Sequence, residues 1–160
     1  MERKLIELYR QLYDEGAYFF ERKMPTSFED KKSAVVKLGD DFAIFMDTAR
    51  VVTIAEETEL VAHECGHVAT GTTHSVCSSL DLVEKHEYKA NKWAVHRILP
   101  AEEIRRAMEA GYIEPWELAE QTGRTEWFVR LALDVYRAEG VEFSADLADE
   151  LFPALLASGM

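Results

Sequence analysis

Residues 60–69 read Leu-Val-Ala-His-Glu-Cys-Gly-His-Val-Ala, and no other stretch restricts the fold of this chain as strongly. The spacing predicts a helix. His63 and His67, four apart, fall about one turn apart on one face, with roughly 5–6 Å between their Cβ atoms. Both imidazoles then reach a single metal ion. Glu64, at the adjacent position, can hold the proton of a water bound there. The bland alternative is a surface helix with two solvated histidines. It fits poorly, because Leu60, Val61, Ala62, Val68 and Ala69 make the run mostly apolar. Buried imidazoles and a buried carboxylate need a partner, and a metal supplies one. Cys65, two residues from each histidine, points to the other side of the helix and reads as a small core residue.

The rest of the chain supplies a scaffold for that helix. Residues 2–15 form an amphipathic pattern with Leu5, Leu8 and Leu12 at helical spacing, closed by Gly16. Residues 17–20, 33–38 and 42–46 have strand character, and the Gly39-Asp40-Asp41 turn suggests a hairpin between the last two. Residues 51–54 read either as a fourth short strand or as a connection. The motif helix is expected from residue 56 to residue 69, with an acidic first turn suited to the helix dipole and Gly71 as its stop. Residues 72–81 form a polar loop containing His74 and Cys77. Further helices are expected at 83–99, 101–110, 115–121, 125–137 and 144–157. In the last, Leu147, Leu151 and Leu155 recur every four residues, and it is expected to dock on its own domain. The expected fold class is α+β: a small, mainly antiparallel sheet of three to four strands, the motif helix, then a helical C-terminal half. The chain of 160 residues suits a single domain. Within it, residues 1–55 hold the first helix and sheet, 56–100 the metal-binding helix pair and 101–160 the helical remainder.

Charge narrows the function classes. The net charge of −12 opposes non-specific binding to phosphate backbones. Residues 115–137 have a helix-turn-helix look around Gly123, yet residues 101–140 carry five Lys/Arg against nine Asp/Glu, a net of −4. A DNA reader needs the opposite sign, so direct nucleic-acid binding is not expected. No run of eighteen apolar residues exists, and the opening Met-Glu-Arg-Lys carries charges where a signal peptide has an apolar core. A cytoplasmic location with both cysteines reduced is the expectation.

Two histidines do not complete a catalytic metal site, which usually keeps three protein ligands and one open position. Downstream candidates are His74, Cys77, Asp81, Glu84, His86 and Glu87. Glu87 shares a helical face with Ala90, Asn91, Ala94 and Ile98. The alanines allow close approach to the motif helix, which brings a carboxylate one turn earlier towards the metal. Asn91 can accept the far N–H of a ligand histidine. His86 is rotated about 100° off that face. This geometry favours Glu87 without closing the list.

The stretch His63-Glu64-Cys65-Gly66-His67-Val68-Ala69-Thr70-Gly71, then Glu87-Tyr88-Lys89-Ala90-Asn91-Lys92-Trp93-Ala94 and Ile98-Leu99-Pro100, resembles the ImmA/IrrE family of zinc metallopeptidases. The subset from prophages and other mobile elements is the most similar. The resemblance covers residues 40–138 through specific motifs and residues 1–39 in pattern only. It implies a zincin-like fold, with His63, His67 and Glu87 as ligands of Zn2+ and Glu64 as catalytic base. It further implies cleavage, in trans, of a partner helix-turn-helix transcriptional repressor. The alternative is a metal-containing regulatory module that holds such a partner with little proteolysis. Two positions depart from the family pattern. Cys65 stands where leucine is common, and Thr72-Thr73-His74 stands where many relatives have an aromatic-containing run. His74 is accordingly a candidate helper in the transition state. His86, Tyr88 and Tyr112 are further candidate donors to a developing oxyanion.

Overall fold

The computed structural model describes residues 2–24, 31–73 and 80–143. Helix α1 (Glu2–Asp14) leads to strands β1 (Ala17–Glu21), β2 (Ser33–Leu38) and β3 (Asp41–Met46). A short 3-10 turn (Thr48–Arg50) precedes α2 (Ile54–Thr70) and α3 (Leu80–Ile98). Helices α4 (Ala101–Glu109), α5 (Pro115–Thr122) and α6 (Glu126–Ala138) follow. The class is α+β. The expected helix at 144–157 lies outside the described residues. Two compact units divide the chain, Met1–Ile98 and Leu99–Met160. Among the described residues, no helix is long and apolar enough to cross a membrane.

In the first unit the sheet has the order β1-β3-β2. The β2–β3 hairpin is antiparallel, with Leu38 opposite Asp41, as the Gly39–Asp40 turn predicts. β1, however, runs parallel to β3, with Phe19 opposite Ile44. The sheet is therefore mixed rather than mainly antiparallel, and it has three strands among the described residues. The tight hairpin places β2 on one edge of β3, so β1 takes the other edge. A parallel pair cannot be closed by a tight turn, and here residues 22–40 intervene. Residues 51–53 form no strand; they are the connection into α2.

α2 starts at Ile54, two residues earlier than its acidic turn suggests. Thr53 is the reason: its side chain accepts from the Glu56 amide at 3.1 Å, a helix N-cap bond. The Glu56 carboxylate returns to the Val52 amide at 2.9 Å and pairs with Lys32. Val61, Ala62 and Cys65 of α2 are fully buried, as are Leu8 and Leu12 of α1. The Cys65 thiol touches the Leu8 carbonyl at 3.7 Å. Burial, reinforced by the Glu64 charge, pushes this thiol up to about 12. A thiol so protonated is packing material, as the sequence pattern indicates. On the helix-facing side of the sheet, Tyr9 meets Phe19 edge to face at 4.9 Å, and the Tyr9 hydroxyl donates to Glu57 at 2.6 Å.

α2 and α3 cross at Gly66. A Cβ there would lie 2.5 Å from the Ala90 carbonyl oxygen and 2.9 Å from Ala90 Cα. Only glycine fits. Its cost inside a helix, about 1 kcal/mol relative to alanine, is accepted in exchange for backbone contact between the helices. Ala90 and Ala94 are fully buried on the α3 side.

Among its described residues the second unit contains the three helices α4, α5 and α6. Glu117 accepts from the Ile113 and Glu114 amides at the start of α5, at 2.9 and 3.0 Å. Thr125 caps α6 through the Phe128 amide at 3.2 Å. Ile104, Leu118, Phe128, Val129 and Ala132 are buried, and the Tyr136 hydroxyl donates to the Leu99 carbonyl at 2.9 Å.

Gly66→Ala forces the two helices apart. Overpacking of about 1–3 kcal/mol exceeds the helix-propensity gain of about 1 kcal/mol, so the denaturation midpoint in urea is expected to fall. An unchanged midpoint refutes the close-contact role.

Candidate metal centre

Helix geometry brings the two histidines of α2 together. His63 Nε2 and His67 Nε2 lie 3.0 Å apart, with the rings nearly perpendicular at 89°. Glu87 of α3 closes the group. Its Oε2 is 3.2 Å from His63 Nε2 and its Oε1 is 3.5 Å from His67 Nε2. Among the described residues, His63, His67 and Glu87 form the one group of His, Cys, Asp and Glu side chains arranged to hold a metal ion. His67 is buried, while His63 and Glu87 are partly open to solvent.

The far nitrogens of both rings are occupied. His67 Nδ1 lies 3.0 Å from the Thr72 carbonyl oxygen. A carbonyl only accepts, so Nδ1 carries the hydrogen and Nε2 carries the lone pair. His63 Nδ1 lies 2.8 Å from Asn91 Oδ1, which sets the same tautomer. Two imidazole lone pairs and a carboxylate oxygen thus converge, all acceptors. Such an array demands a cation. Donor atoms on a tetrahedral zinc with bonds of about 2.0–2.1 Å stand about 3.3 Å apart. The two imidazole nitrogens stand 3.0 Å apart, and each has one of the two Glu87 oxygens at a similar distance, Oε2 at 3.2 Å from His63 and Oε1 at 3.5 Å from His67. The residues present therefore fit a metal ion.

Without a metal, a proton serves as the cation. Burial pushes the His63 ring down, but the Glu87 hydrogen bond, the Glu64 and Glu87 charges and the Asn91 bond outweigh it. His63 is held above its ordinary value of 6.5.

Local chain geometry explains these positions. Gly71 ends α2 in the left-handed region, φ 64°. This reversal sends the Thr72 amide to the His67 carbonyl at 2.9 Å and brings the Thr72 carbonyl to the His67 ring. Thr70 and Thr72 hydroxyls meet at 2.7 Å. Glu64 is buried, and its Oε1 accepts from the Ser33 hydroxyl of β2 at 2.5 Å. Lys31, just before β2, places its ammonium 3.2 Å from Glu87 Oε1.

The structure brings together His63, Glu64, His67, Glu87 and Asn91. His74, Cys77 and the Asp81 side chain lie outside the described residues. Glu84 and His86 are not in the metal group, and Tyr88 is exposed. Tyr112 belongs to the second unit. Sequence reasoning missed Ser33, Thr72 and Lys31, which reach the site across loops and carry no local signal. It also passed over Gly66, whose place inside a helix was a signal. Comparison of the chain with protein-family models, with curated proteins and with solved structures found no match.

Asn91→Ala removes the acceptor that orients His63, and affinity for a divalent metal ion is expected to fall about 10–100-fold in chelator competition. Unchanged affinity refutes the orienting role. The metal-free chain also has a pH signature. Protonated His63 stabilises the fold fully below its unfolded value near 6.5, and this contribution is lost as pH rises through the higher folded value. The urea midpoint of the metal-free protein should decline across that window, and His63→Gln should remove the decline. An equal decline in the variant assigns it to another group.

Proposed function

We propose that this chain is a zinc-dependent endopeptidase of the ImmA/IrrE type that its motifs resemble, with a zincin-like arrangement of sheet and motif helix. The observation carrying the proposal is the convergence of His63, His67 and Glu87 beside the buried carboxylate of Glu64. Two histidines and one glutamate are a donor set used by catalytic zinc, which leaves a fourth position open. Bound there, zinc would supply Lewis acidity towards a peptide carbonyl and would acidify a water to near neutral pH.

The chain's own residues supply the proton chemistry. Glu64 follows His63 in the helix, and its carboxylate takes the proton of the attacking water and passes it to the leaving amine. The Ser33 hydroxyl holds Oε1 of that carboxylate, which fixes its orientation before substrate arrives. Asn91 and Thr72 keep both imidazoles in the tautomer that turns lone pairs inward. A module that only held a partner would need no such base beside the metal ligands. The substrate proposed from the resemblance is a helix-turn-helix transcriptional repressor of a mobile element, met in the cytoplasm and cleaved in trans.

The test is incubation of the zinc-loaded protein with helix-turn-helix repressors of mobile elements, read as fragments on a gel. Glu64→Gln should keep one zinc per chain and lose about 10²–10⁴-fold in cleavage rate, the range of general acid–base catalysis. Chelation should abolish cleavage and added zinc restore it. Full cleavage by Glu64→Gln sinks the base assignment; wild-type zinc binding without cleavage sinks the peptidase reading.

A further inference from the structure

Each histidine of the metal group has an outer partner, and so does the carboxylate. Lys31 Nζ lies 3.2 Å from Glu87 Oε1, whereas Glu87 Oε2 faces His63 Nε2 at 3.2 Å. The two oxygens of one carboxylate are thus unequal: Oε1 meets the Lys31 ammonium and lies 3.5 Å from His67 Nε2, whereas Oε2 makes the shorter approach, 3.2 Å, to His63 Nε2. Lys31 is not placed there by a free tether. Its backbone carbonyl accepts from Arg50 Nη1 at 3.2 Å, and the next carbonyl, of Lys32, accepts from the Asp47 amide at 2.8 Å. The Lys32 side chain is in turn paired with Glu56. These bonds fix the chain as it enters β2 and aim residue 31 at α3, 56 positions further on.

We propose that Lys31 is the positioning residue of Glu87: it retains Oε1 in a charged hydrogen bond, so that Oε2 is the oxygen offered to the metal. The inference rests on the zinc reading of the site above. A hydrogen bond from an ammonium draws electron density from Oε1 and makes it the poorer donor. It also fixes the rotation of the carboxylate, which would otherwise swing about its last torsion. Ligating carboxylates commonly need such support, and its loss typically weakens metal binding 10–100-fold. Lys31 also brings a like charge near a dication, which opposes binding. Its side chain is 47% exposed, so water screens that repulsion, whereas the hydrogen bond acts at contact. Orientation therefore outweighs repulsion.

The experiment titrates the full-length chain with Zn2+ under chelator competition and with Co2+ by visible absorption. Three proteins are compared: wild type, Lys31→Met and Lys31→Arg. Lys31→Met should bind Zn2+ about 10–100-fold more weakly and should show an altered Co2+ spectrum, because Oε1 becomes available to the ion. Lys31→Arg, which keeps the charge and the donor, should restore both. The thermal midpoint of the metal-free chain should be the same in all three, which separates positioning from a general loss of folding. Unchanged or tighter Zn2+ binding in Lys31→Met overturns the assignment of Lys31, as does an unaltered Co2+ spectrum. A Lys31→Arg defect as large as that of Lys31→Met also overturns it. If the wild-type chain binds neither Zn2+ nor Co2+, the metal reading itself fails and this inference falls with it.

Discussion

The site depends on one contact between backbones, Gly66 of α2 against Ala90 of α3. His63 lies about one turn before Gly66 and His67 directly follows it, and Glu87 and Asn91 stand in the same relation to Ala90. Any side chain at residue 66 would move α3 outward, carrying the carboxylate away from the imidazoles and Asn91 away from His63. Metal coordination tolerates only a few tenths of an ångström in ligand distance. The close approach of the two helices thus sets the geometry of the His-His-Glu group as well as the packing.

Around this contact the fold collects acceptors that repel one another. Two lone pairs and two carboxylates, Glu64 and Glu87, occupy a partly buried pocket where their mutual repulsion is poorly screened. A cation relieves it, and in the metal-free chain the raised affinity of His63 for a proton reports the same demand. The supporting groups come from separate elements. Asn91 is on α3, Thr72 follows α2, Ser33 is on β2, and Lys31 precedes it. None of these acts alone, because each fixes one atom of one neighbour.

The second unit makes a different point about local pattern. Helices α5 and α6 have the lengths and the Gly123 turn of a helix-turn-helix, and Thr125 caps α6. Yet residues 101–140 carry a net charge of −4. A local fold signature without the matching electrostatics does not make a nucleic-acid reader.

The pairing of His63 with His67, the carboxylate of Glu64 beside them and the core role of Cys65 were legible from the sequence. A helix of 3.6 residues per turn fixes which neighbours share a face. Glu87 and Asn91 were legible only as favoured candidates, from the alanine stripe on α3. Their meeting with α2 is a long-range fact that periodicity cannot supply. The parallel direction of β1 differs from the expected one for the same reason: strand character is local, but the direction of pairing depends on the path residues 22–40 take between β1 and β3. α2 starts two residues before the acidic turn because Thr53 caps it. By itself, then, the sequence determined the donor types and their spacing along each helix, because these follow from local geometry. Only the tertiary structure decided that Ser33 meets Glu64, that Thr72 orients His67 and that Lys31 meets Glu87. Those contacts join segments distant in sequence or turned by a left-handed cap, and hydrogen bonds of about 3 Å form only once the packed backbone has placed both partners.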